Sequence, residues 1–109
     1  MNVIFTPDVL VYFEDLVFTL YYKEYFSFLE TSKRYVEELI DDILETLPDR
    51  LRKPAPEYFT QYGFCMEYAS FKKNKRTTWY VFVEIYEDAG EIIYLVRYIA
   101  NNHTVAQYL

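Results

Sequence analysis

Thr77-Thr78-Trp79-Tyr80-Val81-Phe82-Val83-Glu84-Ile85-Tyr86 decides the fold. Thr77, Trp79, Val81, Val83 and Ile85 alternate with Thr78, Tyr80, Phe82, Glu84 and Tyr86 at the period of two that belongs to an extended strand. Both sets are largely apolar, so the strand, taken from Arg76 to Tyr86, is expected at the centre of a sheet. Upstream, Lys72-Lys73-Asn74-Lys75 joins it to a strand over Phe64 to Phe71. Downstream, Asp88-Ala89-Gly90 joins it to a strand over Glu91 to Ala100, with Gly90 suited to the left-handed conformation at the end of a hairpin loop. These three strands form a sequential antiparallel meander. The tail from Asn101 to Leu109 reads as irregular chain or a final helical turn.

The rhythm before Gly63 is different. Asn2 to Phe5 is a short β-prone run, and Thr6-Pro7-Asp8 then starts a helix: Thr6 as cap, Pro7 at the first helical position, and an acid facing the positive helix end. Leu10, Phe13, Val17 and Leu20, with Val9, Leu16 and Phe28 on a neighbouring stripe, recur at helical spacing, while Glu14, Asp15, Lys23, Glu24 and Ser27 fall on the surface. Thr31 and Ser32 supply the next cap. Val36, Leu39, Ile40, Ile43, Leu44 and Leu47 form a 3.6-period stripe that Pro48 ends, with Glu37, Glu38, Asp41, Asp42 and Glu45 opposite as a solvated face. Asp49 to Tyr62, with Arg50, Arg52, Lys53, Pro54 and Pro56, reads as an irregular connector. The expected class is α+β in one domain over residues 1–109: a short N-terminal strand, two antiparallel helices, then a three-stranded antiparallel meander, β-α-α-β-β-β.

Charge divides along the same boundary. Residues 1–49 carry 11 Asp/Glu against three Lys/Arg, and residues 50–109 carry eight Lys/Arg against six Asp/Glu, so segments of net −8 and +2 make up the total of −6. An acidic helical layer should therefore back a mildly basic sheet, which bears on partners and not on the fold. At 109 residues, with 13 Tyr and nine Phe, the chain is long enough to bury one core without staples. One cysteine, Cys65, and one histidine exclude an internal disulfide and the usual zinc sites, and Cys65 reads as a packing residue. No cofactor or metal is expected. The apolar runs are too short to span a membrane and no signal peptide is recognisable, which points to a reducing cytoplasm.

Nucleophilic triads, phosphate loops and dinucleotide fingerprints are absent. What remains is a basic hairpin, Lys72, Lys73, Lys75 and Arg76, together with Arg97, His103 and Tyr108 on and after the last strand. In a meander the hairpin and the end of the last strand can share a rim. Metal-free RNA cleavage needs help in deprotonating a ribose 2′-hydroxyl, a cation on the phosphate and a proton for the leaving oxygen, and Lys, Arg, His and Tyr supply all three. Arg97 interrupts an apolar run, sharing a side of its strand with Ile93, Leu95 and Ile99, so it must find an acid, a carbonyl, a phosphate or an exposed edge.

The order of elements, with Trp79 to Tyr86, Gly90 to Val96 and the polar stretch from Asn101 to Tyr108, resembles the RelE/ParE superfamily of bacterial toxins along essentially the whole chain. The resemblance implies the toxin component of a type II toxin-antitoxin system, cytoplasmic and bound by a cognate antitoxin protein, with a homodimer also open. In the mRNA interferase branch it implies a metal-independent endoribonuclease acting on mRNA at the ribosome. His103 would then be general acid or base and Tyr108 would lie near the reacting ribose, with Arg97 in the same site. Lys72, Lys73, Lys75 and Arg76 would contact RNA. The strand end reads Asn101-Asn102-His103, less basic than that branch calls for. Two alternatives therefore stand beside it: a toxin that inhibits a topoisomerase by binding, and a protein-interaction module on the same scaffold.

Overall fold

The computed structural model describes residues 2–23 and 25–109, so Glu24, read above as a surface residue, lies outside them. Five strands form one sheet in the order β1-β5-β4-β3-β2. β1 (Asn2–Phe5) runs parallel to β5 (Glu91–Asn101), while β2 (Lys53–Pro54), β3 (Glu67–Lys72), β4 (Thr78–Asp88) and β5 pair antiparallel in sequence. β4 is the middle strand. Its Trp79, Val81 and Val83 face α1 (Pro7–Tyr22) and α2 (Leu29–Thr46) and share a core with Val9, Phe13, Leu16, Val36, Leu39 and Ile43.

The helix ends follow local chemistry. Thr6 Oγ1 accepts from the Val9 N–H at 3.4 Å and Pro7 opens α1 as expected. The helix stops at Tyr22, however, and does not reach Phe28. Its buried side is Val9, Phe13 and Leu16, while Leu10 is 50% exposed. α2 also departs from expectation, because it begins at Leu29 with no side-chain cap. Ser32 lies inside it, fully buried, and its hydroxyl donates to the Val17 carbonyl of α1. A serine expected to cap a helix instead fastens the two helices together.

The connector contains more structure than its prolines suggested. β2 extends the sheet at Lys53–Pro54, and a 3-10 turn over Glu57–Gln61 lays Phe59 against the outer face of β4. Phe59 is 0% exposed and stacks on Phe82 at 4.3 Å, within a second core that includes Met66, Ala100 and Val105. The tail completes this cover through α3 (Asn102–Val105) and a 3-10 turn over Ala106–Tyr108. Two parallel ring stacks clamp connector to tail and strand, Tyr58 on Tyr108 at 3.7 Å and Tyr62 on Tyr98 at 3.8 Å. The sheet is thus covered on both faces, by helices on one and by its own connector and tail on the other.

Arg50 and Arg52 are built into this arrangement. Arg50 donates to the Ser70 carbonyl on β3 at 2.9 Å, lies 3.8 Å over the Phe71 ring and pairs with Asp42 at 3.1 Å. Arg52 donates to the Leu47, Pro48 and Arg50 carbonyls, where helix α2 ends and cations are favoured, and pairs with Glu67 at 3.1 Å. Glu37, Glu38, Asp41 and Glu45 remain exposed, as a solvated face should.

β3 starts at Glu67, later than expected, because Cys65 takes a positive φ of 52° and breaks the extended run; Phe64 beside it is 78% exposed. Cys65 is itself an exposed thiol and not the packing residue expected from sequence. The β4–β5 loop has left-handed backbone at both Ala89 (φ 52°) and Gly90 (φ 81°), between the paired residues Asp88 and Glu91. That is the geometry of a two-residue hairpin turn favouring Asn-Gly, and alanine is strained there. Ala89→Asn is expected to stabilise the fold by about 1 kcal/mol, a rise of roughly 4–8 °C in Tm by calorimetry. An unchanged or lower Tm would contradict the assigned turn.

Candidate functional site

The pairing of Trp79 with Asn101 brings the start of β4 beside the end of β5, so the β3–β4 hairpin and the tail meet at one end of the sheet. Three asparagines build that end. Asn74 Oδ1 accepts from the N–H groups of Arg76 at 2.8 Å and Thr77 at 2.9 Å, folding the hairpin loop back on itself. Asn102 accepts from Thr78 N–H at 3.0 Å and donates to the Arg76 carbonyl at 3.0 Å, fixing the tail to the hairpin. Asn101 caps α3 by accepting from His103 N–H at 3.0 Å.

Beneath this rim lies a cavity of about 400 Å³, within the roughly 300–1,000 Å³ span of small-ligand sites. Its aromatic wall is Trp79, Tyr35, Phe26 and Tyr25, and its polar residues include Lys23, Asn74, Asn101 and His103. The Trp79 indole N–H donates to the Tyr35 hydroxyl at 2.9 Å, and the Phe26 and Tyr35 rings meet at 5.3 Å. The Lys73 ammonium lies 5.9 Å from the centre of the Tyr35 ring. No carboxylate lines the cavity among the described residues.

Of the residues singled out from sequence, His103 lines this cleft, and the hairpin reaches it through Asn74 and Thr77, with Lys73 beside its Tyr35 wall. Lys75 and Arg76 are exposed on the same loop, and alternation along β3 places Lys72 on the outer face with Tyr68. Arg97 and Tyr108 are elsewhere. Tyr108 stacks on Tyr58 in the outer cover. Arg97 is the extra residue of a β-bulge, since Phe82 pairs with Tyr98 and Val83 with Val96. Because of the bulge, Ile99 turns to the helix side, and Tyr98 packs against Phe82 on the outer side, opposite to strict alternation. The arginine does find an acid: its Nε donates to Glu84 Oε1 at 2.8 Å, with its side chain 37% exposed. Glu84 Oε2 also accepts from Phe64 N–H at 2.9 Å, so one carboxylate pins both the bulge and the loop before β3.

Arg97 borders a smaller cavity of about 260 Å³ with Asp8, Val9, Tyr12, Tyr62, Tyr98 and Ile99. Tyr12 lines both cavities. Burial raises its phenol to about 12, and burial together with hydrogen bonding to the Tyr62 hydroxyl pushes Tyr98 higher still. Tyr35 and Trp79 were not singled out from sequence as site residues, because aromatic residues at helix and strand spacing read as core, and Lys23 was not because it read as a surface residue. The asparagine inside the lysine-rich loop was the available signal.

No protein-family model, curated protein or solved structure matches the chain. No helix of the described residues is long and apolar enough to cross a membrane, and no group of three or more His, Cys, Asp or Glu among them is placed to hold a metal.

The tyrosines give a pH signature. An unfolded tyrosine loses its proton near pH 10, whereas folded Tyr12 holds its own to about 12, so the unfolded state ionises first. Stability present below pH 10 should therefore fall by roughly 2 kcal/mol as pH rises to 12. Urea midpoints should record that fall, and Tyr12→Phe should remove a large part of it. A flat profile in the wild-type chain would contradict burial of the phenol.

Proposed function

We propose that the chain is a toxin-like protein of the RelE/ParE kind that acts on single-stranded RNA, with the hairpin end of the sheet as its working surface. The observation that carries this reading is the convergence of the only histidine, the lysine-bearing hairpin and an aromatic-walled cleft at one place. Unpaired bases bind by stacking on aromatic side chains, and phosphates by cations on the rim. His103 is the general acid or base in this scheme, and Lys73, Lys75 and Arg76 contact the phosphates. Lys72 faces away from the cleft and can meet only RNA that continues over the rim. Arg97 and Tyr108 act through the fold, one holding the bulge and the other the outer cover.

The cognate antitoxin of this reading docks on α1. Val11, Phe18 and Tyr22 form an exposed apolar stripe on that helix, and the exposed acids of α2 belong to the same layer. The same stripe carries the second reading, a protein that works by binding a partner, as a topoisomerase inhibitor or as an interaction module without toxicity. Exposed aromatic and aliphatic residues on one helix mark such contacts.

Brief induction in bacteria, with mapping of transcript 5′ ends, separates the readings. The wild-type chain is expected to arrest growth and generate new ends. His103→Ala should lower cleavage by at least about 100-fold with an unchanged melting temperature, as general acid–base loss at an exposed residue requires. Paired charge reversal at Lys75 and Arg76 should also suppress it. Growth arrest without new ends would transfer the proposal to the binding-type toxin, and normal growth to the interaction module.

A further inference from the structure

Besides hydroxyls, the polar lining of the cleft consists of amides, an ammonium and an imidazole. Asn74 and Asn101 have their side-chain carbonyls engaged by backbone N–H groups and, for Asn101, by the Thr104 hydroxyl at 3.4 Å, while neither amide NH2 has a partner among the described residues. Added to them are the ammonium of Lys23 and the imidazole of His103, with the Lys73 ammonium beside the Tyr35 wall. Among the described residues these donors and cations face no carboxylate, which favours a ligand rich in acceptors and negative charge. The wall selects a flat ring. Trp79 is buried beneath, so the faces on offer are those of half-buried Phe26 and Tyr35 and of Tyr25, which is 67% exposed.

We infer that this cleft holds a single unstacked nucleotide, its base against Tyr25, Phe26 and Tyr35 and its phosphate among Lys23, His103 and the two asparagine amides. The inference rests on the RNA-directed reading and narrows it to one nucleotide at the helix side of the sheet. A free mononucleotide and one nucleotide of an RNA strand share this chemistry. Base stacking on aromatic residues accepts any base, so the site discriminates nucleotide from phosphate more strongly than base from base.

The chain has one tryptophan, and it lines the cleft, so its own fluorescence reports occupancy. Trp79 emission is titrated with adenosine and uridine monophosphates, ribose 5-phosphate and inorganic phosphate, and binding of a labelled single-stranded RNA is followed by anisotropy. Both nucleotides should give a saturable change at least about tenfold tighter than ribose 5-phosphate. Thr104→Phe, which fills the rim from an exposed position, and Lys23→Ala should each weaken nucleotide binding at least about tenfold without lowering Tm. Equal competition by inorganic phosphate, or full binding by Thr104→Phe, would overturn the nucleotide site. RNA binding that persists undiminished in Thr104→Phe would overturn the site and leave the RNA-directed reading standing. Failure of both nucleotides and RNA to bind would remove both.

Discussion

Everything in this molecule depends on β4 being apolar on both faces. Trp79, Val81 and Val83 need cover on one side and Phe82 needs it on the other, and all four are essentially excluded from solvent. Two helices satisfy the first requirement. The second is met by a connector and a tail with little regular structure of their own, locked by Phe59 on Phe82 and by the two tyrosine stacks. Full burial of a residue such as Phe59 stabilises by roughly 1.5–3 kcal/mol, which is what a short 3-10 turn needs to persist on a sheet. Covering both faces closes the centre of β4 to solvent on either side.

The Glu84–Arg97 pair is the second fixed point. A bulge in β5 lets Tyr94, Val96 and Ile99 all join the helix-side core although they do not follow one alternating pattern. The extra residue has to be accommodated, and an arginine paired at 2.8 Å to a carboxylate on the neighbouring strand does so. Gly63 belongs to the same arrangement, since a β-carbon there would come within 2.8 Å of the Arg97 Cδ and 2.7 Å of the Met66 sulfur. The residue that most resembled a buried catalytic cation in the sequence is thus tied to a carboxylate, a loop and a glycine.

Sequence legibility followed periodicity. β4, β5, both helices and the left-handed Gly90 were readable because each rests on a repeating pattern or a local turn rule. β2 and the 3-10 turn at Phe59 were not, because their formation depends on a β3 edge and an apolar sheet face that exist only after folding. The bulge at Arg97 was invisible to strict alternation, which sent Ile99 and Tyr98 to the wrong faces. Ser32 misled for a related reason, as a serine near a helix start normally caps, whereas a contact with the Val17 carbonyl is tertiary. At the site, His103 and the hairpin were legible as chemistry, but their meeting with Tyr35 and Lys23 required the helices to be placed.

In the function proposed above, RNA meets the protein at the hairpin end on the helix side, and not on the aromatic outer face. Photo-crosslinking of a single-stranded RNA carrying 4-thiouridine, followed by mass spectrometry of the adducts, tests it most directly. Adducts on Tyr25, Phe26, Tyr35 or His103 are expected. Adducts concentrated instead on Tyr58, Tyr62, Tyr98 or Tyr108 would place the RNA on the outer cover and contradict it.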